Sequence, residues 1–199
     1  MAPGSRIEDF QHGRVPRRVR ERQLVELAEE LFAERGYQGA SMDELARRAG
    51  VTKPIVYELF GNKDGLFRAC LQRSDDHLAE QVAEAVRAEH EPEARLRAGG
   101  LAFLRFAADR RVAWELMMEG RFFDTAVEVR RRQAALVLEL LKEMAPGTVD
   151  ERELEVVAHA VNSAYEGVAH WMWEHPDEPI GRLADWTVEL LLPGLRRFT

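Results

Sequence analysis

Cysteine is almost missing from this chain, with Cys70 the only one among 199 residues. A single thiol excludes an intramolecular disulfide framework and fits a reducing compartment. With no second cysteine and no cluster of cations beside it, Cys70 reads as a small buried hydrophobe rather than a redox sensor. Long apolar runs are missing too. No stretch of 18 or more apolar residues is present to span a bilayer, and the first residues hold no signal-peptide core, so a cytoplasmic protein is expected. Beyond residue 63 there is no strand-like alternation, and no repeat or low-complexity tract occurs. The sequence also lacks a His-Glu-x-x-His run, a Gly-x-Ser-x-Gly elbow and a phosphate-cradling glycine loop. Neither an enzyme nor a cofactor is expected.

What is present is helical spacing throughout. Leu24, Leu27, Leu31 and Phe32 stand at core spacing in a first helix over about 17–35 that ends at Gly36. Ser41 followed three residues later by Glu44 is a capping box: Ser41 accepts from an orphan backbone N–H, and Glu44 reaches back. A short helix therefore starts after Ser41, with Leu45 and Ala46 on its apolar face, and Gly50 suits the left-handed backbone that ends it. Val51 plugs the angle between helices. Thr52 is the N-cap of the next helix, which runs to about Phe60 before Gly61 stops it. Val56 and Phe60 face inward there, leaving Lys53 and Tyr57 on another side, open to a phosphate. Asn62 caps a further helix, so Lys63 sits in a first turn whose free N–H groups also suit a phosphate oxygen. A helix, a tight turn and a second helix of this size lay a recognition helix in the DNA major groove.

Residues 17–70, with Arg22, Leu27 to Gly36, the Ser41 to Gly50 helix, Val51-Thr52-Lys53, Tyr57, Phe60 and Asn62-Lys63, resemble the N-terminal domain of the TetR family of transcriptional regulators. The resemblance implies a homodimer that binds a palindromic operator and releases it when a small molecule binds the C-terminal domain. The candidate DNA-binding residues are Arg17, Arg18, Arg22, Ser41, Thr52, Lys53, Pro54, Ile55, Tyr57 and Lys63. Three positions depart from the family pattern. Pro54 stands where glycine is frequent and disfavours α geometry at Lys53. Ile55 replaces a small hydroxyl residue, and Leu59 a histidine or aromatic. Ile55 either packs on a thymine methyl or joins Leu59 in widening the buried stripe.

The net charge of −7 divides unevenly. Residues 1–73 carry 13 Lys and Arg against 11 Asp and Glu, and the remainder 15 against 24. Binding to DNA would thus depend on where cations sit, with Arg14, Arg17, Arg18, Arg20 and Arg22 bunched at the start of the first helix. Later helices are expected at about 63–89, 93–108, 111–119, 122–145, 150–174 and 180–197, for about nine in all. The fold class is all-α: a flexible basic arm over 1–16, a three-helix helix-turn-helix domain over 17–70, and a ligand-binding and dimerisation domain over 71–199. Gly99-Gly100 marks a helix that is either interrupted or closely packed.

The helix from Asp150 to Glu174 has two apolar faces. Leu154, Val157, Ala158, Val161, Tyr165, Val168, Ala169 and Met172 form a core stripe. Val156, Ala160, Ser163, Ala164, Gly167 and Trp171 form a second, mostly small face that pairs with Leu190 and Leu191 at a dimer interface. Phe103, Phe106, Trp114, Met117, Met118 and Phe122, with Phe123 and Trp171, supply adaptable apolar surface for an apolar or aromatic effector. Asn162, Tyr165 and Glu166 are its candidate polar anchors. The polar stripe His159, Asn162, Glu166 and His170 either lines that pocket or faces solvent. Its alternative reading is a metal-dependent enzyme, since Glu166 and His170 stand at i and i+4; a dimeric helical adaptor without DNA binding is the other alternative. Arg130-Arg131-Arg132 reads as a solvated helix face.

Overall fold

A computed structural model describes residues 15–111, 122–144 and 149–195. Eight helices and no strand occur among them: α1 (Arg17–Gly39), α2 (Met42–Arg48), α3 (Lys53–Phe60), α4 (Lys63–Arg87), α5 (Pro92–Ala108), α6 (Phe123–Met144), α7 (Glu151–Glu174) and α8 (Ile180–Leu195). All but the first residue of the helix expected over 111–119 lies outside the described residues, as do Arg14, Trp114, Met117 and Met118. The chain divides into two compact units, residues 1–74 and 75–199, and α4 carries residues of both. No helix among the described residues is long and apolar enough to cross a membrane.

The first unit is built as its capping chemistry dictates. Gly36 has φ +67° and breaks α1, with Tyr37–Gly39 forming one further turn whose end is set by the Ala40 N–H donating to the Gly36 carbonyl at 3.2 Å. Gly50 (φ +64°) lets the backbone reverse so that the Val51 N–H donates to the Ala46 carbonyl at 3.0 Å, closing α2. Leu24 and Leu31 of α1, Leu45 of α2, Val56 of α3 and Leu66 of α4 are completely or almost completely buried together. Each such side chain contributes about 1.5–3 kcal/mol by leaving water. Leu27, Phe32, Val51 and Phe60 are half-buried around this core.

Half of the expected capping box forms. Ser41 Oγ accepts from the Glu44 N–H at 3.2 Å, but the Glu44 carboxylate is drawn to Arg48 at 2.9 Å rather than back to the Ser41 N–H. Arg48 also holds Glu34 of α1 through both guanidinium nitrogens, at 2.7 and 3.0 Å. A charge-assisted fork therefore ties α2 to α1.

In the second unit α7 is the central element, packed against α5, α6 and α8. Leu154, Ala158, Val161, Tyr165, Ala169 and Met172 form its buried stripe, with Val157 and Val168 half-buried beside it. Helix α5 runs uninterrupted through Gly99-Gly100, so close packing accounts for both glycines. A Cβ on Gly99 would stand 3.0 Å from Val86 Cγ2.

Candidate DNA-binding surface and effector cavity

Helix α3 offers its polar side to solvent. Lys53 and Tyr57 are exposed, with Lys53 Nζ lying 5.5 Å from the centre of the Tyr57 ring. Thr52 occupies the N-cap position in an extended conformation (φ −80°, ψ 149°), yet its hydroxyl makes no capping hydrogen bond. Pro54 falls in the first helical turn and is tolerated there, so the helix starts at Lys53. Leu59 packs on the buried cluster, whereas Ile55 is half-exposed outside it. The two residues thus separate: Leu59 widens the core, and Ile55 stays beside Lys53 and Pro54. Arg17 and Arg18 are exposed at the start of α1, and Arg22 is half-buried. Ser41 is exposed but spends its oxygen on the cap.

Lys53 and Lys63 each have partners within the unit. Lys53 Nζ lies 2.7 Å from Asp43 Oδ1 on α2, and that carboxylate raises the lysine's pKa. Lys63 Nζ donates to the carbonyls of Gln38 at 3.2 Å and Ala40 at 3.0 Å, over the Tyr37 ring. Its side chain therefore fastens the start of α4 to the α1–α2 link. Asn62 Oδ1 caps α4 by accepting from the Gly65 N–H at 2.8 Å. A Cβ at position 65 would lie 2.1 Å from the Phe60 carbonyl oxygen, so only glycine lets α4 start this close to the end of α3. That constraint is not legible in the motif itself.

The second unit encloses a cavity of about 230 Å³ between α4, α5, α6 and α7. Of the expected ligand residues, Phe103, Asn162 and Tyr165 line it. Phe106 does not; it lies under the Arg110 guanidinium, 4.2 Å away. Phe122 is fully buried elsewhere. Glu166 stands behind the wall, accepting from Asn162 Nδ2 at 3.0 Å and from Arg130 Nε at 3.0 Å, while its own burial pushes its carboxyl pKa up. The polar stripe is thus divided: Asn162 and Glu166 are buried, His159 and His170 exposed. Glu166 and His170 accordingly do not converge, and no metal-holding group of three His, Cys, Asp or Glu occurs among the described residues.

Sequence reasoning missed most of the polar wall. Asp75, Arg95, Arg132 and Gln133 all line the cavity. The arginine run is not simply solvated: Arg130 turns to Glu166, and Arg132 binds both Asp75 and Asp76, while Arg131 alone stays exposed. The signal was available, since an arginine triplet on a helix of 22 residues cannot point one way.

Outside the cavity, α7 and α8 present apolar side chains to solvent. Val156 is 69% exposed, Leu190 77%, and Trp171 and Trp186 are exposed as well. Ala160, Ser163 and Gly167 are exposed between them, with Ala164 and Leu191 half-buried. Trp186, four residues before Leu190, belongs to this face and was not anticipated.

Comparison with known proteins follows the same division. The profile of bacterial regulatory proteins of the tetR family matches residues 24–70, and that of the tetracyclin repressor-like C-terminal domain matches 92–194. The HTH-type transcriptional activator FasR of Mycolicibacterium smegmatis is 41% identical over 109 residues, 55% of this chain and 50% of FasR. The HTH-type transcriptional regulator BetI of Yersinia pestis is 37% identical over 82 residues, 40% of this chain and 41% of BetI. The chain thus spans half or less of the length of these curated relatives. A TetR-like transcriptional regulator from Rhodococcus sp. RHA1 superposes with a TM-score of 0.60 at 31% identity, covering 92% of this chain and 99% of that one. A tetR-family regulator from Streptomyces coelicolor gives 0.68 at 26% identity, over 86% and 78% of the two chains.

Proposed function

Since the chain belongs to the TetR family of transcriptional regulators, we propose that it acts in the cytoplasm as a homodimeric repressor whose grip on a palindromic operator is released by a small apolar or aromatic effector. The observation that carries this reading is the exposed side of α3, where Thr52, Lys53, Ile55 and Tyr57 stand on a helix pinned by three others. In the major groove, Ile55 meets a thymine methyl, and Lys53, Tyr57 and Thr52 meet phosphates. Arg17, Arg18 and Arg22 hold the flanking backbone, and the first-turn N–H groups of α4, positioned by Lys63, receive a further phosphate.

Residues 1–16 serve as the basic arm, 17–70 as the DNA-binding domain and 71–199 as the effector and dimerisation domain. A two-fold pairing of the α7 and α8 faces supplies the second recognition helix, needed for half-sites about 34–36 Å apart. The effector occupies the 230 Å³ cavity and shifts the protein toward a state with mismatched half-site spacing. It works only to the extent that it binds the two states differently. A second reading, activation, has a specific observation in its favour: FasR, similar over 109 residues, is named an activator.

Selection of random DNA fragments by the purified chain tests the proposal. An enriched palindrome with two half-sites one turn apart is expected. No enrichment, or a single unpaired site, would speak for the helical adaptor. A reporter placed behind the selected site then reads the sign, with expression falling for repression and rising for activation.

A further inference from the structure

We infer that the cavity of the second unit selects an elongated ligand whose apolar body ends in a positively charged N–H donor head, held by Asp75 and Gln133. The inference rests on reading this cavity as the effector site.

Asp75 is 5% exposed and lines the cavity, yet its compensation is thin. Arg132 Nη1 lies 3.3 Å away and Gln133 Nε2 3.2 Å away, both at the long end of useful range, and Arg132 engages the solvent-facing Asp76 more closely. A buried carboxylate with such contacts is costly until a better donor arrives. Burial accordingly pushes the Asp75 carboxyl pKa up.

Gln133 adds a second unmet demand. Its Nε2 donates to Asp75, which fixes the amide orientation, because the reverse would set two oxygens against each other. Its Oε1 is then buried with no partner. Two residues of one wall thus hold buried acceptors short of N–H groups. A charged amine or amidine head meets both through charge-assisted bonds.

Both guanidiniums that line the cavity already have carboxylate partners. Arg95, at the other end, is matched by Glu143 at 2.6 Å, and Arg132 is shared by Asp75 and Asp76. Asp75 is the one carboxylate among the cavity's described lining residues, so it is the group that a charged head would meet. Arg95 Nε, buried and unpaired, wants a neutral acceptor such as a hydroxyl or carbonyl. Between these ends run Leu136, Val137, Leu140 and Val82, and the nine residues from Gln133 to Leu141 span about 12 Å of helix.

The test uses n-octylamine, octan-1-ol and octanoate as matched probes, titrated calorimetrically into the full chain. Octylamine is expected to bind about tenfold or more tightly than either of the others. Asp75→Asn, which keeps the shape, and Gln133→Met, which removes the acceptor, are each expected to erase most of that preference, with folding checked by circular dichroism. Octanoate binding as tightly as octylamine, no binding by any probe, or a preference unchanged in both folded variants would overturn the inference. Operator affinity is measured separately with each probe. If octylamine binds with its Asp75-dependent preference and leaves operator affinity unchanged, the ligand class stands and the effector reading fails. If another probe releases the operator and octylamine does not bind, the reverse holds.

Discussion

Gly100 of α5 and Tyr165 of α7 approach so closely that a Cβ on the glycine would lie 2.0 Å from Tyr165 Cζ. The ring is buried, its hydroxyl donates to the Leu96 carbonyl at 3.4 Å, and both residues line the cavity. Alanine in a helix interior is about 1 kcal/mol better than glycine on propensity. Overpacking against a buried ring costs about 1–3 kcal/mol, and here the overlap is too large for propensity to win. Gly100→Ala is therefore expected to lower stability in urea denaturation. Tyr165→Leu should restore much of the loss when combined with it, a coupling that a double-mutant cycle measures. Additive effects of the two changes would mean that the ring moves away freely.

Asp43 competes with a phosphate for the Lys53 ammonium. Asp43→Asn frees the ammonium and is expected to raise operator affinity, whereas Lys53→Ala lowers it and reduces the salt dependence by about one phosphate contact. Lys63 is different, since its ammonium is spent on the Gln38 and Ala40 carbonyls. Lys63→Met should lower the thermal stability of the chain while leaving the salt slope of binding near that of the parent. Competition binding across a salt series, paired with thermal melts, separates these roles. Equal salt slopes for the Lys53 variant and the parent would remove Lys53 from the phosphate contacts.

The helices were legible because their ends are local chemistry. Ser41, Gly50, Gly61 and Asn62 act on backbone groups a few residues away, so their spacing alone specifies the turn. The α7 core stripe was legible through its 3.6-residue period. The cavity was not, because its polar wall joins Asp75 on α4 to Arg132 and Gln133 on α6, and nothing local relates positions almost sixty residues apart. The fate of Lys63 was hidden for the same reason: its carbonyl partners lie 23 and 25 residues back along the chain. Ile55 and Leu59 stand one turn apart on nearly the same side of α3, and which of them meets the core is a matter of packing that composition does not encode.

Cys70 is buried under α1, its Sγ 3.8 Å from the Val25 carbonyl. Burial pushes its thiol pKa up to about 12. The thiol stabilises the fold fully below the ordinary thiol pKa, and that contribution drains away as pH rises toward about 12. Native protein at neutral pH is therefore expected to react with a thiol reagent only as fast as it opens, and quickly once unfolded in guanidinium. Rapid stoichiometric labelling of the folded chain would show that the site is open.

Val156 and Leu190 are more exposed than large apolar side chains on a lone chain ordinarily are, and Trp171 and Trp186 extend the patch. Small residues between them, Ala160 and Gly167, leave room for another helix to approach closely. A second copy of the chain meets both conditions, because a two-fold axis lets the same patch cover itself. Val156→Glu and Leu190→Glu place charges where no internal packing is lost, so each protomer should keep its helical content. Both variants are expected to sediment as monomers at micromolar concentration. Operator affinity should fall more than tenfold, because the second half-site is no longer reached within one complex. Variants that remain dimeric and bind as the parent does would move the interface elsewhere. A monomer that binds as tightly as the parent would instead break the link between dimer and operator on which the palindrome depends.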